Sequence, residues 1–476
     1  MWNHSSFSQK IATFENTRVW SPNLLNQFEK FIAEAEDYSL FRINPYNFAG
    51  MYGFNFEEVL DLFLYGTKSG ILVMEWILIC PRCGDPVNQF QKIFHVHNKY
   101  HCEFCRRDYE TNLDNSIQIG FTIHPEIRTI SFHNPNSLSI EEYQYKFHFS
   151  REGKVPGTSE SFRTFFKIRE KFLGFLEPNS RATKEIKVDV GFLEGNDFTH
   201  HSDFLIEVKP KQEGTSSVLK IEFKNGNWNV NNAEIFAGIH QIEIVNESDL
   251  RLPLSIYQLD KDFMISEFNL DFDPYLTARI LLNNKTFREL FRGDDLIGAT
   301  GLSIKDITIL FTDLKGSTSL YERIGDLNAF ALVQQHFDEI NKVISKHDGI
   351  LIKTIGDAIM ASFLNPLNAF KAAKEMLYAI ELFNARQMER EIILKIGIHS
   401  GPSIAVTLNE RLDYFGQIIN IAARVQGVAG GEEICFTKEI YEYPGVKEIV
   451  SDSDLHPEMV HLKGIKDPIA VYRFCY

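Results

Sequence analysis

An α+β fold is predicted for this chain on three observations. From residue 301 to 476, apolar runs of strand character alternate with runs of helical period. From 116 to 268, short segments rich in Phe, Ile, Val and Tyr follow one another between Gly, Asn and Ser turns. Helical spacing elsewhere is confined to 1–79 and to a stretch within 269–300. A length of 476 residues exceeds what one hydrophobic core usually serves, so several domains are expected. With 44% hydrophobic and 24% charged residues and no low-complexity tract, every part is expected to fold.

The elements follow in order. Ser21 caps and Pro22 starts a helix whose Leu24, Leu25, Phe28, Phe31 and Ile32 recur at helical spacing, and a second helix is expected near Glu57–Tyr65. Residues 80–115 hold Cys80, Cys83, Cys102 and Cys105, two C-x-x-C pairs separated by eighteen residues, the spacing of a zinc ribbon with a structural Zn²⁺. Four thiolates close a tetrahedral site, so His95, His97 and His101 between the pairs are not needed as ligands. In 116–268 the segments IQIGFTIH, YQYKFHFS, EIKVDVGFL, DFLIEVK, VLKIEFK and HQIEIV read as strands of an antiparallel β domain. Leu276, Ile280, Leu281, Phe287, Leu290 and Phe291 then mark a helical connector.

The C-terminal part has the order strand ITILFTD, helix to about His347, strand LIKTI, a Gly-Asp turn, strand AIMASF, helix from about Pro366, strands ILKIGIH and IAVTL, and a helix over about Gly416–Gln426. Two βαβ-like units of this kind fit helices packed on one sheet. Phe330, Val333, Phe337, Ile340 and Ile344 form the apolar stripe of the first long helix.

The charge balance excludes some functions. With 64 acidic against 49 basic residues the net charge is -15, which disfavours DNA and anionic membrane surfaces as partners. No leader pattern opens the chain, and the best apolar run, Gly70–Cys80, is short and contains Glu75. A cytoplasmic protein without membrane or nucleic-acid contacts is expected.

Two aspartates end strands. Asp313 closes ITILFT and Asp357 sits at the tip of the hairpin LIKTIGDAIMASF, so neighbouring strands can bring both carboxylates together. Such a pair suits two Mg²⁺ or Mn²⁺ ions, hard cations that prefer oxygen ligands and phosphates. Singly, each aspartate also reads as a turn or cap residue. The run Leu314-Lys315-Gly316-Ser317-Thr318 opens a helix whose free N–H groups favour a triphosphate.

Taken together, FTDLKGST, KTIGDAIMA, KIGIHSGP, DYFGQIINIAAR and LKGIKDPIAVYRF resemble the motifs of the class III nucleotidyl cyclase catalytic domain, over about Asp306 to the C-terminus. The resemblance implies a ferredoxin-like, palm-like sheet and an adenylyl cyclase that converts ATP to 3′,5′-cyclic AMP and pyrophosphate. It implies that Asp313 and Asp357 bind the metals, Lys353 and Asp413 read the purine, Asn420 and Arg424 act at the ribose and α-phosphate, and Lys395 and Lys463 hold the outer phosphates. At Lys395 the family often has arginine, and lysine loses the bidentate fork. Either Asp313 or the substrate itself is left as general base. The resemblance also implies a head-to-tail homodimer with sites shared between subunits.

The purine pair has its own logic. Adenine offers an acceptor at N1 and a donor at its amino group, while guanine offers the reverse, so a lysine beside a carboxylate matches adenine and opposes guanine twice. The alternative function is a catalytically silent, cyclase-like dimerisation module. Residues 40–290 resemble a poorly characterised domain that precedes the cyclase domain in some bacterial cyclases, which implies a regulatory role and an unknown ligand or protein partner.

Overall fold

The computed structural model describes residues 2–475 except 91–98, 103–106, 148–152, 156, 198–201, 212–217, 261–270, 292–300, 387–391, 409–410 and 451–454. The chain forms two compact units, one running essentially to Leu276 and the other from Thr277 with the short stretch Asn112–Asp114.

In the first unit, helices His4–Ala12, Pro22–Glu34, Pro45–Tyr52 and Phe56–Lys68 precede a three-stranded antiparallel sheet with Leu72–Ile79 at its centre, between Pro86–Phe90 and Ile117–Ile123. Pro22 stands in the first turn of its helix, and Leu24, Phe28, Phe31 and Ile32 are all buried. Two further sheets share one core. The five-stranded sheet contributes Leu193, Ile206 and Val208, and the four-stranded one Leu219, Ile221, Ile242 and Ile244.

Three expectations for this region are corrected. The sheets are mixed, since Ser202–Lys209 pairs in parallel with Glu234–Phe236, and Val218–Lys224 with Gly238–Asn246. EIKVDVGFL is divided between strands Ser180–Val188 and Gly191–Asp197, which lie in different sheets. YQYKFHFS is not a strand: Ile140–Phe147 is a helix, with 148–150 outside the described residues. Ser139 and Glu142 account for this, because each side chain accepts from the other's backbone N–H in a reciprocal cap. Tyr143 and Phe147 then stack one turn apart, with ring centroids at 4.8 Å.

In the second unit the expected connector is two short helices, Ala278–Leu282 and Lys285–Leu290, because Asn284 caps a new helix through Phe287 N–H. The sheet has the order 349–355, 358–363, 302–314, 394–408, 433–437, 469–475, 458–460, with 411–415 paired to 394–408. Its first four strands with helices Asp326–Lys346 and Pro366–Ala385 make a βαββαβ unit of ferredoxin-like order. The first long helix starts only after Gly325, whose φ of 81° ends helix Ser317–Ile324. Val333, Phe337, Ile340 and Ile344 enter the core between sheet and helices as expected, whereas Phe330 is 58% exposed.

Candidate active site

Register places the two metal-binding candidates beside each other. Strand Leu302–Leu314 pairs antiparallel with Ala358–Phe363, with Thr312 opposite Ile359, so Asp313 and the turn residue Asp357 lie at the same end of neighbouring strands. Gly356, at φ 64°, makes the turn that presents Asp357. One Asp357 oxygen, Oδ2, is buried and accepts no hydrogen bond among the described residues. An anionic oxygen in that state is what a divalent cation would satisfy, so the pair fits Mg²⁺ or Mn²⁺. Asp313 Oδ2 accepts only weakly from Gln426 Nε2, at 3.4 Å.

On the other neighbouring strand, Lys395 stands directly opposite Asp313 and shares its face. After Asp313, Gly316 adopts φ 75° as the N-cap of helix Ser317–Ile324, and no side chain caps that end.

The base-reading candidates meet directly. Lys353 Nζ donates to Asp413 Oδ2 at 2.5 Å, with the carboxylate side chain 12% and the lysine 40% exposed. The remaining Asp413 oxygen accepts from Tyr414 N–H at 2.8 Å. Tyr414 is itself anchored: its hydroxyl donates to Asn283 Oδ1 at 3.1 Å and accepts from Arg288 Nη2 at 3.0 Å. Asn283 Oδ1 also accepts from Ser362 Oγ at 3.0 Å, and its amide donates to the Arg279 carbonyl. The two short helices thus hold strand Arg411–Phe415, which carries Asp413, and the strand that follows Asp357.

Asn420 and Arg424 lie one turn apart on helix Gln417–Gly427, while Ile418 and Ala422 are buried. Asn420 is exposed and Arg424 half-buried. The Arg424 Nη1 atom is buried without a hydrogen-bond partner among the described residues. Gly464, at φ 75°, lets the next loop close on this guanidinium, since a Cβ there would lie 3.2 Å from Nη1. Lys463 is exposed in that loop, which Leu462 pins to Val425. Neither Lys395 nor Lys463 bonds to the aspartates among the described residues.

Residue-by-residue reading missed Gln426, Gly464, Asn283 and His336. His336 is fully buried, and burial lowers its pKa to about 4, with the Val333 carbonyl and the Asp357 carboxylate pulling the other way. Its position inside the stripe Val333–Phe337–Ile340 was the available signal.

In the N-terminal unit the sulfurs of Cys80, Cys83 and Cys102 lie within 4.8 Å of one another and all three residues are buried. The Cys83–Cys102 separation of 3.6 Å suits two corners of a tetrahedron with Zn–S bonds of about 2.3 Å. Cys105, His95 and His97 lie outside the described residues, and His101 turns to Asp108 at 2.8 Å. No helix among the described residues is long and apolar enough to cross a membrane.

Residues 302–474 match the family described as the adenylate and guanylate cyclase catalytic domain, and residues 8–289 match one described as a family of unknown function, DUF5939. An adenylate cyclase of Anabaena cylindrica is 31% identical over 196 residues, covering 38% of this chain and 39% of that protein. Adenylate cyclase 1 of Rhizobium meliloti is 28% identical over 138 residues, covering 26% and 21%. The chain therefore spans well under half the length of these curated relatives. The solved structure of the guanylyl cyclase Cya2 is similar over 36% of this chain and 92% of its own, with 24% identity and a TM-score of 0.33.

Proposed function

We propose that this chain, which belongs to the DUF5939 family and carries an adenylate and guanylate cyclase catalytic domain at residues 302–474, converts ATP to 3′,5′-cyclic AMP and pyrophosphate. The observation that carries the choice of ATP is the Lys353–Asp413 pair, a donor and an acceptor side by side. Presented to adenine, the lysine donates to N1 and the carboxylate accepts from the amino group; guanine meets two mismatches.

Asp313 and Asp357 would hold two Mg²⁺ or Mn²⁺ ions, whose chemistry there would be a lowered pKa for the ribose 3′-hydroxyl and neutralisation of the pyrophosphate charge. Arg424 brings its half-buried guanidinium to the α-phosphate, where spread negative charge grows as the 3′-oxygen attacks in line. Asn420 orients the ribose, and Lys395 and Lys463 attract the outer phosphates.

Two copies assemble head to tail, so that metal and purine residues of opposite subunits share each substrate. Ile404, Leu408 and Phe415 support this, because one hairpin of the catalytic domain exposes all three. Cys80, Cys83 and Cys102, with Cys105, hold a structural Zn²⁺. The N-terminal unit regulates the output in response to a ligand or protein it binds, and the enzyme works in the cytoplasm, where ATP is abundant.

Purified protein incubated with ATP or GTP and Mn²⁺, with products separated by chromatography, tests the reading. Cyclic AMP from ATP is expected in clear excess over cyclic GMP from GTP. Preferential cyclisation of GTP would refute the base assignment, and no cyclic product from either nucleotide under any metal would refute the enzyme.

A further inference from the structure

Among the described residues, one side chain donates to Asp313: the Gln426 amide, whose Nε2 reaches Oδ2 at 3.4 Å. That amide has no part in the proposed catalysis. Gln426 is only 9% exposed, although glutamine on a helix ordinarily turns to solvent. Two features of the fold bury it. Gly397 lies two residues beyond Lys395 on the strand beside Asp313, and a Cβ there would lie 2.1 Å from Gln426 N and 2.4 Å from its Cα, so the helix backbone rests directly on the strand. Val425, the residue before, is fully buried with Ala429, Cys435, Leu462 and Val471. Backbone and apolar neighbours make these contacts, so helix Gln417–Gly427 keeps its place, with Asn420 and Arg424 on it, whatever the polarity of residue 426. The amide is a donor held by a fixed element.

The residue type suits a carboxylate that must bind a cation. A lysine at 426 would neutralise Asp313 and compete with the metal, and a glutamate would repel it. A neutral amide does neither: it restrains the carboxylate and leaves its charge available. Lys395 stands opposite Asp313 but does not bond to it among the described residues, so the restraint falls to Gln426. At 3.4 Å the bond is long, as hydrogen bonds in catalytic sites often are before the reacting complex assembles.

We infer that Gln426 is a positioning residue of the metal site, holding Asp313 in the orientation in which it takes up Mg²⁺ or Mn²⁺. The inference rests on the cyclase reading and gives Gln426 no contact with the nucleotide.

Mn²⁺ titrated into the full-length protein, with free Mn²⁺ counted from its EPR signal, tests it without turnover. The site in question is the binding that Asp313→Ala removes. Gln426→Leu, which keeps the side-chain volume, and Gln426→Asn, whose shorter side chain withdraws the amide, should each raise its Kd about fivefold or more. With ATP as substrate, both variants should need about fivefold or more extra Mn²⁺ for the half-maximal rate, yet come within about twofold of wild-type kcat once Mn²⁺ saturates, because Arg424 has not moved. A purely structural defect would not be rescued by metal. Melting curves establish that each variant is folded, and Gln426→Asn decides alone if Gln426→Leu does not fold. A folded variant whose Kd rises less than about fivefold, or whose kcat stays low at saturating Mn²⁺, overturns the inference and leaves the cyclase reading standing. A wild-type protein with no Mn²⁺ binding removable by Asp313→Ala up to about 10 mM overturns the metal assignment and the inference with it.

Discussion

Lys353 and Asp413 bond to each other at 2.5 Å, so each is held ready by the other. Removing the acceptor as Asp413→Ala leaves a lysine that donates equally well to the guanine carbonyl. The ratio of kcat/KM for ATP over GTP is expected to fall about tenfold or more, read from initial rates with both nucleotides. His336 answers to pH instead. Burial lowers its pKa to about 4 in the folded protein, against an ordinary value of about 6.5. Above pH 6.5 neither folded nor unfolded chain is protonated there and nothing is lost. As pH falls from 6.5 towards 4, the unfolded chain takes up a proton that the folded one refuses, so stability declines. The decline is about 2 kcal/mol between pH 7 and pH 5, and His336→Leu should abolish that part of the slope in denaturant titrations at the two pH values.

At the scale of elements, helices Ala278–Leu282 and Lys285–Leu290 matter through Asn283, whose oxygen serves two buried hydroxyls, those of Ser362 and Tyr414. Asn283→Leu leaves both without their acceptor. A loss of about 2–4 kcal/mol in unfolding free energy is expected, together with a raised KM for ATP as strand Arg411–Phe415 loosens. Unchanged KM in a destabilised protein would limit Asn283 to a structural part. The cysteine cluster carries its own prediction: one Zn²⁺ per chain by elemental analysis, and about 2–5 kcal/mol or complete loss of folding of the N-terminal unit in Cys102→Ser. Helix Pro22–Glu34 was legible in the sequence through Pro22 and its apolar period, although Ser21 stands at the N-cap position without a side-chain cap hydrogen bond. Aromatic alternation made YQYKFHFS read as a strand, whereas the reciprocal cap of Ser139 and Glu142 starts a helix there. ILKIGIH and IAVTL, expected as two strands, are one, Leu394–Leu408, because the register shift between Ile304 and Ile307 leaves no partner opposite Pro402. That accommodation belongs to the neighbouring strand and is invisible locally.

For the molecule as a whole, Ile404, Leu408 and Phe415 are exposed on one hairpin, and the proposed head-to-tail dimer would give them a partner surface. A mixture of Asp357→Ala and Arg424→Ala proteins, each inactive alone, should regain up to about a quarter of wild-type activity after subunit exchange, since half the dimers are mixed and each has one intact site. No recovery would confine each site to one subunit. Sequence alone determined the alternation of the main strands and the long helices in the catalytic domain, the two strand-end aspartates and the cysteine spacing, because period and motif are local properties. Only the tertiary structure decided that Asp413 meets Lys353, that Asn283 anchors its strand, and that the β-rich half is mixed rather than antiparallel. Each of these depends on which distant strands become neighbours, and that is settled by how the whole chain buries its apolar surface.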